Sequence, residues 1–299
     1  MTLEDLIDFL KIQTNTQTSF FQLNVQSARS KGDDLALFFD SIETPFNVIM
    51  LTETWYTDDD DAFVLSGYYN FILNRDYGRG GGMSLQTNVS GFVLLSDYSV
   101  VTPNYEILCI RKNCCIYSVL YRPPNGNISV FINFLEELFC FANEEGCKLY
   151  LGGDFNINML EVSRITDDFA SLLTSNNFSN VIIPPTRVSC STSTLIDLFI
   201  TNDCEDNISA GVLGYGLSDH LPTVMFINNN VPCNRAINLP VMSRHISATT
   251  LEKFREKIGA INWSPVLRET DVDKCYNLFL DMIKDAYYSS LPYKQGNSL

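Results

Sequence analysis

Apolar and polar positions divide the chain into two styles of patterning. As far as residue 228, short apolar runs bounded by turn-forming residues alternate with longer segments in which apolar residues recur every three or four positions. The short runs predict strands over residues 20–25, 47–52, 67–73, 92–95, 106–110, 115–121, 181–183, 195–201 and 223–227, with a further buried run, Leu149-Tyr-Leu, leading into Gly152-Gly-Asp-Phe-Asn. The helical period appears in residues 1–15, where Thr2 stands as a cap before Leu3, Leu6, Ile7 and Leu10. It returns through Leu35, Phe38 and Phe39, over 128–145 with Val130, Phe131, Phe134, Leu135, Leu138 and Phe139, and over 166–174. Strands separated by helices predict a mixed α/β domain. Beyond a linker that begins at Asn228 the pattern becomes wholly helical, with Leu251, Phe254 and Ile258 on one face and Val272, Tyr276, Phe279, Ile283 and Tyr287 on the next. The expected division is an N-terminal segment at 1–17, a domain over 18–228, and a linker with a helical tail over 229–299.

Composition narrows the classes without choosing among them. With 45% hydrophobic and 12% aromatic residues in 299, a sizeable core is within reach. A net charge of −15 argues against a surface that draws nucleic acid by bulk electrostatics, so a phosphate-bearing substrate must be met by a local basic patch or by divalent cations. The Asp58–Asp61 run reads as a solvated loop; it lacks the Gly and Glu spacing of a calcium loop. Nine scattered cysteines without Cys-x-x-Cys pairs disfavour a disulfide framework and a structural zinc site. Glu4, Asp5 and Asp8 stand where a signal peptide needs positive charge, and no apolar run reaches membrane length, so a nuclear or cytoplasmic protein, not a secreted one, is expected. The Gly78–Gly82 cluster reads as a flexible turn, since no Lys-Ser or Lys-Thr follows it.

Chemistry gathers at strand ends. Asn24, Glu53, Tyr121, Asp154 with Asn156, Asp197, and Asp219 with His220 each stand where an expected strand meets a loop, and strand ends of this kind cluster at one edge of a sheet protein. Together they would form an oxygen-rich cradle for a hard cation, Mg²⁺ or Mn²⁺, suited to phosphoryl-ester hydrolysis. Singly, each has a structural reading: Gly-Gly-Asp is also a turn after a strand, Asn24 and Asn156 also cap turns, Glu53 is also a surface acid, Tyr121 is also a core aromatic, and Ser218-Asp219 is also a cap. Asp197 interrupts an apolar run and should have a partner.

In order, Leu23-Asn-Val-Gln-Ser-Ala-Arg, Leu51-Thr-Glu-Thr-Trp, Leu120-Tyr-Arg-Pro-Pro, Gly152-Gly-Asp-Phe-Asn, Leu195-Ile-Asp-Leu-Phe and Leu217-Ser-Asp-His-Leu-Pro resemble the successive motifs of the endonuclease/exonuclease/phosphatase superfamily, and within it the apurinic-type endonuclease domain of non-LTR (LINE-type) retrotransposons. The resemblance spans about residues 18–228. It implies a four-layered α/β sandwich, two mixed β-sheets flanked by helices, followed here by a helical extension similar to the connector that leads into a reverse transcriptase module in a longer relative. It implies an Mg²⁺-dependent (or Mn²⁺-dependent) DNA endonuclease that leaves a 3′-hydroxyl. Glu53 and Asn24, with Asp219, would hold the metal; Asp154 and Asn156 would position water; Tyr121 and His220 would meet the scissile phosphate; Asp197 would orient His220. Thr186, Arg122 and Ser218 would lie against substrate, and Arg29, Lys31, Arg75, Arg79, Arg164, Arg187 and Tyr77 are the further side chains expected to meet DNA, with weak, salt-sensitive binding. Gln26 stands where cellular apurinic endonucleases carry an acid, which fits the retrotransposon branch better. The alternatives are a phosphatase of the same superfamily and a catalytically decayed nucleic-acid-binding remnant.

Overall fold

The computed structural model describes residues 1–6, 17–42, 45–57, 62–78, 80–228 and 248–291. The acidic run at 58–61, Arg79, the linker at 229–247 and most of the N-terminal helix expected over 1–15 lie outside the described residues. Residues 3–6 do form a helical turn, in which Thr2 and Asp5 exchange backbone-to-side-chain hydrogen bonds. The chain separates into two compact units, Met1–Cys233 and Asn234–Leu299.

The first unit is built on two mixed sheets flanked by helices. In the first sheet, β1 (Gln17–Asn24) runs parallel to β2 (Val48–Thr52), and β15 (Thr223–Asn228) pairs antiparallel on the other side of β1. β14 (Ile208–Val212) closes one side; β4 (Met83–Thr87) and β3 (Tyr69–Leu73) close the other. The second sheet is centred on the parallel pair β8 (Cys115–Tyr121) and β9 (Lys148–Asp154), with β7 (Glu106–Lys112) antiparallel to β8 and β13 (Asp197–Thr201) antiparallel to β9. The short strands β5 (Val93–Leu94), β6 (Val100–Val101) and β10 (Ser179–Asn180) extend this sheet, and β11 (Arg187–Val188) with β12 (Ser193–Thr194) forms a separate hairpin.

Alternation along β1 shows how the layers are assigned. Phe21 and Leu23 pack with Leu35 and Phe38 of α1 (Ala28–Asp40), while Phe20 points the other way, into a core shared by the two sheets. Phe20 meets Tyr117 at 5.1 Å, Tyr150 at 5.4 Å and Phe199 at 6.3 Å between ring centroids, one ring each from β8, β9 and β13. Each buried ring contributes roughly 2–3 kcal/mol of hydrophobic stabilisation. Toward the C-terminal ends of β1 and β9 the same inter-sheet face changes from aromatic to polar. That step, from Phe20 through Gln22 to Asn24 and from Tyr150 to Asp154, is what the site grows from.

The strand containing the Gly-Gly-Asp stretch runs straight through both glycines to Asp154, so the turn reading fails there. A Cβ at Gly153 would collide with the Leu120 carbonyl oxygen of the parallel neighbour, which is why the position needs glycine. The helices α2 (Ile128–Glu144) and α3 (Arg164–Ser175) accompany this sheet; α2 is capped by Asn127, and α3 by a Ser163–Thr166 capping box. Residues 181–183, expected as strand, lie beyond β10 and outside any strand, and β4 and β14 were not foreseen.

In the second unit, α4 (Ala248–Ala260) and α6 (Val272–Ser290) pack with the short α5 (Ser264–Arg268) through Phe254 on Tyr287 and Trp263 on Phe279. No helix among the described residues is long and apolar enough to cross a membrane.

Candidate active site

Because β1 and β2 are parallel, as are β8 and β9, Asn24, Thr52, Tyr121 and Asp154 all stand at the C-terminal ends of their strands. Asn24 is fully buried, and its amide nitrogen donates to Glu53 Oε1 at 2.8 Å and to Asp154 Oδ2 at 2.9 Å, joining the two sheets at this edge. By alternation Glu53 would follow Ile49 and Leu51 toward α1. Instead its φ of 53° turns the chain and aims the carboxylate into the cleft, where Trp55 Nε1 donates to Oε2 at 3.2 Å. Non-glycine residues in the left-handed region are costly, and five of the seven here, Gln26, Ser27, Glu53, Trp55 and Asn156, lie in the loops at this one edge.

Asp154 is 1% exposed; Oδ1 accepts the Asn156 backbone N–H at 3.0 Å, and Oδ2 accepts the Asn156 side-chain amide at 3.2 Å. Burial, and then the neighbouring Asp197 charge, push the Asp154 carboxyl above its usual range, with His220 and the amide donors opposing. The Tyr121 hydroxyl bonds Glu53, and burial together with the Glu53 charge raises its pKa, so the phenol stays protonated as a donor.

Across the β13–β9 ladder Asp197 is the register partner of Asp154. Its carboxylate meets His220 Nδ1 at 2.8 Å, and the buried Gln22 amide approaches it at 3.5 Å while itself held by Thr223 at 2.7 Å. Burial works to lower the His220 pKa, but the contact with Asp197 outweighs it and the imidazole is raised to about 9. At neutral pH this is a cation whose Nδ1 is fixed by Asp197, leaving Nε2 for the cleft. Nε2 lies 4.0 Å from Asp219, the one half-exposed acid of the set.

Several expected roles change on inspection. Arg122, expected at substrate, is buried and spends its guanidinium on the carbonyls of Phe155, Asn156, Gly126 and Pro123, so it shapes the loop carrying Asn156. Thr186, expected against substrate, is fully buried, and its hydroxyl accepts the backbone N–H groups of Ile196 and Asp197. Ser218 ties its hydroxyl to the Asn24 and His220 carbonyls and accepts the His220 N–H, fixing the His220 loop. Asp219 is ion-paired with Arg187. Asn24, expected to ligate metal, turns its amide nitrogen toward the carboxylates while its oxygen accepts Gln26 N–H at 3.2 Å. Among the expected DNA contacts, Arg75 is ion-paired with the fully buried Glu106, Lys31 donates to the Val25 carbonyl at 2.8 Å, Arg164 reaches Asp168, and Arg29 is exposed. Gln22 was missed, although a glutamine inside an apolar strand was the available signal; Trp55 stood in the quoted motif, and its bond to Glu53 comes from the fold.

Glu53, Asp154 and Asp197 face one imidazole, so the set linked by hydrogen bonds carries more negative charge than His220 offsets. Hard oxygen donors in excess fit a divalent cation such as Mg²⁺ or Mn²⁺. Ligand atoms of Asp154, Asp197 and His220 lie within 4.8 Å of one another and could themselves hold an ion, although His220 Nδ1 and Asp197 already bond each other, as Glu53 and Asp154 are bridged by the Asn24 amide.

No family model matches the sequence, and no curated protein matches it. Among solved structures the chain is similar to the endonuclease domain of TRAS1, a telomere-specific non-LTR retrotransposon, at 17% identity and a TM-score of 0.56 over 72% of this chain and 100% of that one. It is also similar to a 3′ phosphatase, NExo from Neisseria, bound to a product DNA hairpin, at 12% identity and TM-score 0.53 over 70% of this chain and 98% of that one. An endonuclease/exonuclease/phosphatase family protein from Leptotrichia buccalis aligns at 14% identity and TM-score 0.50, again over 70% and 98%. The fold is the one shared by these solved structures, an endonuclease domain, a 3′ phosphatase and an endonuclease/exonuclease/phosphatase family protein.

Proposed function

We propose that this chain is a divalent-metal-dependent DNA endonuclease of retrotransposon type, hydrolysing a phosphodiester bond to leave a 3′-hydroxyl. The observation that carries the reading is the bridge from Glu53 through Asn24 to Asp154, placed beside the Asp197–His220 pair: metal-type acids and a phosphate-type cation in one cleft. Glu53 would hold the cation, with the Asn24 oxygen available once its amide turns and Asp219, paired with Arg187, standing at the mouth. When bound, the ion would neutralise phosphate charge and polarise the scissile bond.

The chain's own residues divide the remaining work. Asp154 draws a proton from the attacking water while Asn156, bonded to it, orients the water. His220, protonated and held at Nδ1, offers Nε2–H to the phosphate as charge accumulates, and Tyr121 donates from the other side. Thr186 and Ser218 act behind these groups. The retrotransposon branch, over a phosphatase, is supported by the Leu51-Thr-Glu-Thr-Trp motif, whose Trp55 bonds Glu53, and by the Tyr121-Arg-Pro-Pro turn; TRAS1 and the NExo phosphatase align over nearly the same share of each chain. The helical second unit would then connect to a reverse transcriptase module in a longer relative, and the domain would be 18–228.

The test is incubation of purified protein with supercoiled plasmid and Mg²⁺ beside a phosphate-release assay on nucleotide and phosphoinositide substrates, with the nicked ends offered to a polymerase. Nicks that prime extension support the reading. Phosphate release without nicking would move the chain to the phosphatase alternative; neither activity would leave the decayed binding remnant.

A further inference from the structure

Gly80, Gly81 and Gly82, read from sequence as part of a flexible turn, lie beside the acid that the cleft depends on. Gly81 and Gly82 carbonyls accept the backbone N–H groups of Trp55 and Thr54 at 2.9 and 3.1 Å, so the glycine backbone holds the segment in which Glu53 adopts its left-handed φ. What holds the glycines is a buried charge pair. Glu106 on β7, fully buried, accepts Gly82 N–H at 2.7 Å through Oε2 and pairs with the Arg75 guanidinium through Oε1. The guanidinium lies so close to the Gly81 backbone that a Cβ there would run into its Nε. Glu106 is also the register partner of Tyr121, and Arg75 lies over the Tyr121 ring at 5.6 Å. One ion pair therefore reaches both Glu53, through the glycine backbone, and Tyr121, through its ring.

We infer that the Arg75–Glu106 pair is a positioning device for the cleft, setting the Glu53 carboxylate and the Tyr121 phenol in register for cation and phosphate. The inference rests on the proposed phosphodiester hydrolysis for its kinetic consequence. A buried acid kept solely for stability would be replaceable, because well-packed neutral pairs are commonly as stable as buried ion pairs. A positioning pair is not replaceable: Lys lacks the planar fork that meets Glu106 while stacking on a ring.

The experiment compares wild type with Arg75→Lys and with the double variant Arg75→Met/Glu106→Gln, which removes both charges together and keeps an acceptor for Gly82. All carry Trp263→Phe, so that Trp55, bonded to Glu53, is the single tryptophan and reports Mn²⁺ by quenching. Melting temperature, the Mn²⁺ concentration at half-quenching, and kcat and KM for plasmid nicking are read together. The expected result for both variants is a retained cooperative melt, a half-quenching concentration and a kcat each worse by about 10–100-fold, as for residues that orient metal ligands, and little change in KM. A folded double variant with wild-type quenching and kcat would overturn the inference, as would a rise in KM alone, which would make Arg75 a phosphate contact. Wild type that is neither quenched nor able to nick would instead sink the functional reading, and the positioning role with it.

Discussion

Strands β9 and β13 carry a buried carboxylate at each end of their shared ladder, and the two ends are solved differently. At the far end Asp203, just beyond β13, is 5% exposed and fully answered: Lys148 pairs with it, the Tyr150 hydroxyl donates at 2.7 Å, and the Cys204 N–H donates at 2.7 Å. At the cleft end Asp154 and Asp197 face one another, with Glu53 one amide away and His220 as the cation bonded directly to the set. A structural acid brings its own cation; here the surplus negative charge is left where a metal and a phosphate would arrive. Arg75–Glu106 belongs to the first kind in its charge balance, although it stands beside the second.

Neutralising one acid at each end should separate rate from stability. Asp154→Asn is expected to lower plasmid nicking by about 10²–10⁴-fold, the range for a lost general base, while stability holds or rises because a repulsion is relieved. Asp203→Asn should leave nicking untouched and cost about 1–3 kcal/mol in urea unfolding, the range for an unmade buried hydrogen bond, discounted because Lys148 is half exposed. Equal effects of the two substitutions on rate would erase the distinction.

Acidity offers a second way to sharpen it. The folded pKa of His220, about 9, lies above its unfolded value, so its stabilisation is complete below about pH 6.5 and is lost as pH rises through 9; Asp154, also raised, acts in the same direction. Unfolding free energy should therefore fall by up to about 3 kcal/mol between pH 6 and 10, and His220→Gln should flatten that slope. The smallest effect concerns DNA itself. Arg75, Arg122 and Arg187 are all engaged within the protein, so nicking should respond to salt with a shallow slope, and Arg164→Ala, on an exposed i,i+4 pair, should change neither rate nor stability by more than about 0.5 kcal/mol.

Much of the frame was legible because local pattern and tertiary need agreed: the parallel-strand cores read as apolar runs, and the site acids stood at their ends. Strand β4 escaped because Met83-Ser-Leu-Gln-Thr offers only two apolar residues after the glycines; Ser84 and Gln86 are nonetheless buried and satisfied, Ser84 by Asn70 and Gln86 by Phe63 and Leu65. The division of labour among polar residues was also hidden. Arg122 and Thr186 sit in motif positions next to catalytic types, yet their hydrogen bonds go to backbone, which no spacing announces. Gly152 and Gly153 read as punctuation because glycine usually is; here Phe199 and Met50 crowd the first and the Leu120 carbonyl of the parallel neighbour the second.

The most direct test of the central claim is Mg²⁺-dependent nicking of supercoiled plasmid by wild type, Asp154→Ala and His220→Ala at equal concentration, with fold checked by cooperative melting. The account predicts nicking by wild type and a loss of at least about 10²-fold in each variant. Equal nicking by all three, or none by a folded wild type, would contradict it.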